Sequence, residues 1–120
     1  MTKKQWKTKI KKATTEAGTY RPFFDAVIDT LAGILERRDL ALETFEKTGG
    51  NVIVKHTNKG GSTNLEQNPA LRMVNDLNRD ALAYWRDLGL TPSGLKKINE
   101  KSLIVKEKKG LADVLGDLGI

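Results

Sequence analysis

The sequence has no cysteine, so it can form no disulfide, thiolate metal site or thiol nucleophile. Histidine occurs only at His56, and no cluster of His, Asp or Glu accompanies it. The apolar runs are far shorter than the ~20 residues of a membrane helix. No apolar signal core follows the basic start of the chain. We therefore expect a soluble intracellular protein with no metal and no cofactor.

Enzymatic function is also disfavoured. The glycine-rich stretch 60–63 lacks the G-x-x-x-x-G-K-[ST] spacing of a phosphate-binding loop. No nucleophile and base occur in a recognisable catalytic pattern. The sequence predicts no catalytic residue, and we expect a non-enzymatic protein.

Positive charge is in excess, with 21 Lys and Arg against 15 Asp and Glu, a net charge of +6. Such a balance favours a polyanionic partner, most simply nucleic acid. The charge is concentrated at the start of the chain, before the first acid at Glu16: Lys3, Lys4, Lys7, Lys9, Lys11 and Lys12. Trp6 and Ile10 recur there at helical spacing, which indicates a short amphipathic helix. These lysines fit either a phosphate-binding arm or a solvated basic tail.

Two longer helices are predicted, over about 22–47 and 69–88. Asn68 is placed to cap the second helix, and Gly89 to end it. The pairs Glu43–Lys47 and Arg72–Asp76 have the i, i+4 spacing of helical ion pairs. The connector 51–67 combines β-branched residues with a glycine turn, which suggests a short β-hairpin or an extended arm.

The end of the chain is predicted to contain a short helix from Thr91 that exposes Lys96 and Lys97. A charged linker and an amphipathic segment follow it. That segment fits either a peptide that docks on a partner or a terminal helix packed on its own domain. Its apolar residues are Leu111, Val114, Leu115 and Leu118.

These patterns predict an all-α protein: a helical hairpin core with a glycine-rich connector (possible short β-hairpin), short terminal helices and mobile basic ends. Its parts would be a basic N-terminal arm or short helix at 1–21, a helical core domain at 22–99, and the linker with the amphipathic segment at 100–120. A lone helical hairpin leaves apolar surface uncovered. We therefore expect self-association, with Phe23, Phe24 and Trp85 at the interface between subunits.

The stretch 68–98, NPALRMVNDLNRDALAYWRDLGLTPSGLKKI, resembles the central motif of the P27-type small terminase subunits of tailed phages and prophages. The resemblance covers roughly residues 20–100. One departure is that Lys96 and Lys97 follow Gly94-Leu95, where the family often has a small residue and an arginine. The basic group would then come from a shifted position.

The resemblance implies a homo-oligomeric ring that binds double-stranded viral DNA in the host cytoplasm. The ring would deliver this DNA to the large terminase subunit, which carries the ATPase and nuclease. The six N-terminal lysines, with Lys96 and Lys97, would contact DNA, and the amphipathic segment would contact the large subunit. The alternative is a small helical DNA-binding transcriptional regulator or antitoxin-like protein, dimeric, with a helix-turn-helix.

Overall fold

A computed structural model of the chain describes residues 1–100. Its elements, in chain order, are α1 (Lys3–Ala17), a 3₁₀ turn (Pro22–Phe24), α2 (Asp25–Lys47), β1 (Ile53–Thr57), β2 (Thr63–Gln67) and α3 (Pro69–Asp87). Residues 92–100 are also helical and are called α4. The prediction of a mostly helical protein is confirmed. The protein is not purely all-α, because the short hairpin that the sequence suggested is present.

The first helix has well-defined ends. The Thr2 side chain accepts from the Gln5 amide, and the Gln5 side chain accepts from the Thr2 amide, which forms a capping box. Gly18 ends the helix in the left-handed conformation, at φ 74°. From α2, a Glu36 carboxylate oxygen accepts from the Lys3 amide over 2.6 Å. A carboxylate near a helix start is stabilising there.

The central element is α2, which packs against both α1 and α3. Trp6, near the start of α1, reaches Asp39, whereas Lys11 lines a groove with Asp25. The helices α1 and α2 therefore run antiparallel. The three helices share one core, made of Trp6, Ile10, Ile28, Leu31, Ala32, Ile34, Leu35, Ala81 and Leu88. The expected mobile N-terminal end and lone helical hairpin are thus replaced by three packed helices, in which α1 covers part of α2.

The β-hairpin pairs β1 and β2 antiparallel, with Lys55 opposite Leu65. Both strands are exposed except at Val54, which is half-buried. The hairpin is anchored at its base by Asn68, which is buried. Its side-chain oxygen accepts from the Ala70 amide, and its side-chain nitrogen donates to the Asn51 carbonyl over 3.0 Å. The predicted cap of α3 therefore also fixes the start of the hairpin.

A sharp corner joins α3 to α4. The Leu90 amide donates to the Trp85 carbonyl over 2.9 Å, and Gly89 has φ 73°, so α3 ends in a Schellman motif at the glycine that the sequence predicted. From the α1–α2 connector, the buried Thr19 hydroxyl donates to the Leu88 carbonyl over 2.7 Å. A Cβ atom on Gly94 would collide with the Arg86 carbonyl oxygen, so glycine is needed where α4 crosses the end of α3.

Of the two predicted helical ion pairs, one is confirmed. Lys47 and Glu43 approach to 2.8 Å. The Arg72–Asp76 pair was wrong, because within the described chain Asp76 pairs with Arg79 instead, at 3.9 Å. Both spacings, i+3 and i+4, place side chains on the same helix face, so spacing alone could not choose between them.

Candidate nucleic-acid interface

The lysines of α1 lie partly along its border with α2, where Lys3 and Lys7 bind Asp29, and partly on its solvent-exposed surface. Trp6, Ile10 and Thr14 point inward and are buried, which orients the rest of the helix. Lys3 is half-buried, and the other five lysines are exposed: Lys4, Lys7, Lys9, Lys11 and Lys12. The chain therefore presents these charges on a docked helix.

The docking of α1 depends on a polar contact as well as on apolar packing. The Trp6 indole N–H donates to the Asp39 carboxylate over 2.7 Å. Arg38 lies over the Trp6 ring, at 5.3 Å from its centroid, and also binds Asp39 at 3.0 Å. Burial alone would raise the pKa of Asp39, but the hydrogen bonds from Trp6 and Arg38 outweigh it and hold that pKa below its usual value.

A groove of about 670 Å³ separates α1 from the first half of α2. Within it, Asp29 of α2 binds the Lys3 ammonium at 3.0 Å and the Lys7 ammonium at 3.1 Å. Hydrogen bonds from these two lysines lower the pKa of Asp29. The groove is lined by Lys3, Lys4, Lys7, Thr8, Lys11, Asp25, Ile28 and Asp29. The α2 side of the groove therefore carries two carboxylates, whereas its α1 side carries four lysines.

Two further lysines lie against aromatic rings. Lys9 is 5.1 Å from the Trp6 ring centroid, and Lys11 is 5.2 Å from that of Tyr20. The Tyr20 hydroxyl donates to Asp25 over 2.8 Å. Tyr20, and to a lesser extent Asp25, raise the pKa of Lys11. These contacts hold the ammonium groups close to the helix without removing them from solvent.

Lys96 and Lys97 are exposed on α4, as predicted. Lys96 lines a surface cleft with Pro92 and Glu100, and Lys97 lines another with Arg86. Neither cleft shares a residue with the α1–α2 groove. The structure therefore does not bring these two lysines into the groove that Lys3, Lys4, Lys7 and Lys11 line.

The three aromatic residues predicted at a subunit interface differ in exposure. Phe23 is 74% exposed and stacks edge to face on Phe24, with ring centroids 4.6 Å apart. Phe24 and Trp85 are half-buried and pack against the core of their own chain. Of the three, Phe23 has the most surface available to another molecule.

Other predicted features lie elsewhere. The apolar residues of the predicted C-terminal amphipathic segment lie outside the described residues: Leu111, Val114, Leu115 and Leu118.

Within residues 1–100, no three His, Cys, Asp or Glu side chains are placed to hold a metal ion. No helix in the described part of the chain is long and apolar enough to span a membrane.

Sequence reasoning missed the acidic and aromatic partners of the lysines. Asp29, Asp39 and Tyr20 each contact α1 from outside that helix. Their positions along the chain carry no signal of this, because the contacts depend on how α1 and α2 align.

The fold and the site together define a small, mostly helical protein whose first helix displays lysines on its solvent side. The chain matches the family described as phage terminase, small subunit, over residues 2–102, and it belongs to that family. The match is to the small-subunit family as a whole and does not single out the P27 type. The chain matches no curated protein and no solved structure at a significant level.

Proposed function

We propose that this chain is a P27-type small terminase subunit of a tailed phage or prophage. It binds double-stranded viral DNA as an oligomeric ring and delivers that DNA to the large terminase subunit in the host cytoplasm. The observation that carries the proposal is a helix with six lysines, docked on the core of a chain that belongs to the small-subunit family. The chain itself is non-enzymatic in this proposal, and it leaves catalysis to its partner.

The DNA contact is made by α1. Each lysine that neutralises a phosphate releases counterions, so affinity and its salt dependence report the same contacts. Contacts between lysines and phosphates need no side chain that reads the bases, so α1 would bind duplexes of different sequence. Lys96 and Lys97 would add contacts from α4. Ring assembly would multiply weak contacts by the number of subunits.

A charge-removal variant tests this step. Replacing the six α1 lysines by glutamine should weaken binding to a labelled DNA duplex and reduce the slope of log affinity against log salt by about 0.9 per lost phosphate contact. A control that removes two lysines away from α1 replaces Lys55 and Lys59, on or beside the exposed hairpin, by glutamine, and its effect is compared per lysine. Equal affinity and equal slope for the six-lysine variant and the wild type would disprove the DNA-binding role of α1.

Self-association is supported by the apolar side chains that remain exposed within residues 1–100. Phe23 is the most exposed of them, followed by Leu65 at 70% and Ile53 at 60%. Leu65 and Ile53 lie on the same face of the hairpin, because each alternate position of a paired strand faces the same way. An isolated two-stranded hairpin is marginal in water, and coverage by another subunit would stabilise it.

Light scattering on the full chain tests the ring. We expect a closed oligomer well above a dimer, and we expect Phe23→Asp to break it. Phe23 suits this test better than Phe24, because Phe24 also packs against the core. Thr30→Asp introduces the same charge at an exposed position of α2 and should leave the mass unchanged. A monomer or dimer for the wild type would favour the small DNA-binding regulator instead, with α3 and α4 as its helix-turn-helix.

The large subunit is the second partner. We propose that Leu111, Val114, Leu115 and Leu118 form the apolar contact with it. Replacing these four residues by serine should abolish co-purification with the large subunit while DNA binding is retained. Unchanged co-purification would reject this assignment and leave the DNA-binding part of the proposal standing.

A further inference from the structure

Asp29 lies among the lysines that the proposed function assigns to DNA. Its two carboxylate oxygens each take one lysine of α1: Oδ2 binds Lys3 and Oδ1 binds Lys7. Asp29 and both lysines keep close to half of their side-chain surface exposed. An arriving phosphate group can therefore reach the same ammonium groups that Asp29 binds.

We propose that Asp29 is an internal competitor of the DNA phosphate, which it mimics, and that it lowers the affinity of the α1 face for DNA. This inference rests on the proposed function. A phosphate that binds Lys3 and Lys7 must displace a carboxylate that already satisfies them. Asp29 thus sets a weak affinity per subunit, which lets DNA move along a ring that makes many such contacts at once.

The size of the effect follows from the kind of ion pair. Exposed pairs of this type are weak, so two of them oppose phosphate binding only modestly. Removing the carboxylate should therefore tighten DNA binding by about 2- to 30-fold for each bound subunit. In the wild type, DNA displaces Asp29 from its lysines, and the freed carboxylate takes up a cation. Asparagine takes up none, so the slope of log affinity against log salt should steepen by up to about one ion.

The test compares Asp29→Asn with the wild type, using the full chain and a short labelled duplex at several salt concentrations. Asp76→Asn is the matched control, since it removes one exposed carboxylate from α3 that pairs with Arg79 at 3.9 Å. Lys7→Gln is then made in both backgrounds. It should cost more affinity when Asp29 is replaced, because Lys7 is then available to phosphate. Thermal melting checks that every variant is folded.

Tighter binding and a steeper slope for Asp29→Asn, with no such change for Asp76→Asn, support the inference. The inference is overturned if folded Asp29→Asn binds no tighter than the wild type, or if Asp76→Asn gains as much. In either case, a loss of binding in the six-lysine variant would leave the proposed DNA-binding function intact. If no variant binds DNA at all, both the inference and the proposed function are wrong.

Discussion

The Trp6 indole on α1 and the Asp39 carboxylate on α2 are joined by a hydrogen bond of 2.7 Å that crosses the interface between the two helices. Arg38 reaches the same carboxylate and also binds Asn78 of α3 at 3.2 Å. One small polar cluster at the rim of the core therefore connects all three helices. The lysine face of α1 depends on it for its orientation.

Replacing Asp39 by asparagine should lower the free energy of unfolding by about 1 kcal/mol near neutral pH, because hydrogen bonds to a charged acceptor are the stronger ones. The pKa of Asp39 is lowered in the folded state, so the unfolded state binds its proton first as the pH falls. The contribution of Asp39 is present above about pH 4 and is lost below it. Urea unfolding at neutral and acidic pH measures the free energy of unfolding of the wild type and of Asp39→Asn.

The Asp39 prediction has a direct control in Asp76→Asn, which should change stability by less than about 0.5 kcal/mol at either pH. If the stability difference between the wild type and Asp39→Asn grew on acidification, the assigned direction would be wrong.

Replacing Gly94 by alanine should destabilise the corner between α3 and α4 by about 1–3 kcal/mol, the usual range for a forced overpacking. The added methyl group would collide with the Arg86 carbonyl oxygen, which belongs to the backbone and cannot rotate away. Chemical denaturation followed by tryptophan fluorescence measures this loss of stability. Gly60→Ala in the hairpin turn is the matched control, because its nearest atom would be Asn58 Oδ1 at 3.4 Å. Equal stability of the two variants would contradict the close approach of α4 to α3.

Asn68 has two separable roles. Alanine at this position removes both the cap of α3 and the bond to the Asn51 carbonyl, and it should cost about 1–3 kcal/mol. Aspartate keeps the capping oxygen but has no N–H for Asn51, so its loss should be smaller. Urea unfolding of the wild type, the aspartate variant and the alanine variant gives their order of stability. An aspartate variant less stable than the alanine variant would mean that a carboxylate held against the Asn51 carbonyl costs more than the retained cap contributes.

Thr19→Val replaces the buried hydroxyl by a methyl group of similar shape and leaves the Leu88 carbonyl without that donor. Stability should fall by about 1–3 kcal/mol, the cost of an unsatisfied buried group. Thr44→Val is its control, because Thr44 is exposed and its hydroxyl donates to the Leu40 carbonyl within the same helix. The two variants should differ clearly in thermal melting. Matching melting temperatures would mean that water replaces the lost donor.

The helices were predictable because their signals are local. Asn68 and Gly89 mark where α3 begins and ends, and both were found where expected. The β-branched residues and the glycine turn indicated either a β-hairpin or an extended arm, and the structure has the hairpin. These features need only neighbouring residues, so the sequence is sufficient for them.

The arrangement of α1 was not predictable in the same way. The spacing of Trp6 and Ile10 indicated its buried face, but that spacing does not show that this face packs against α2. The pairing of Lys3 and Lys7 with Asp29 depends on the relative shift of two antiparallel helices. A shift by one turn would have offered Asp25 instead. The sequence therefore predicts which lysines belong to the candidate site, but it does not predict which acidic residues pair with them.

The contact between Thr19 and the Leu88 carbonyl has a consequence for the order of folding, because the two residues are 69 positions apart. Helical proteins usually fold quickly, since most of their contacts are local. Here the end of α3 is completed by the segment that precedes α2, so the chain must close a long loop before the corner to α4 is secure. We expect the corner to form late, after α1, α2 and α3 have assembled.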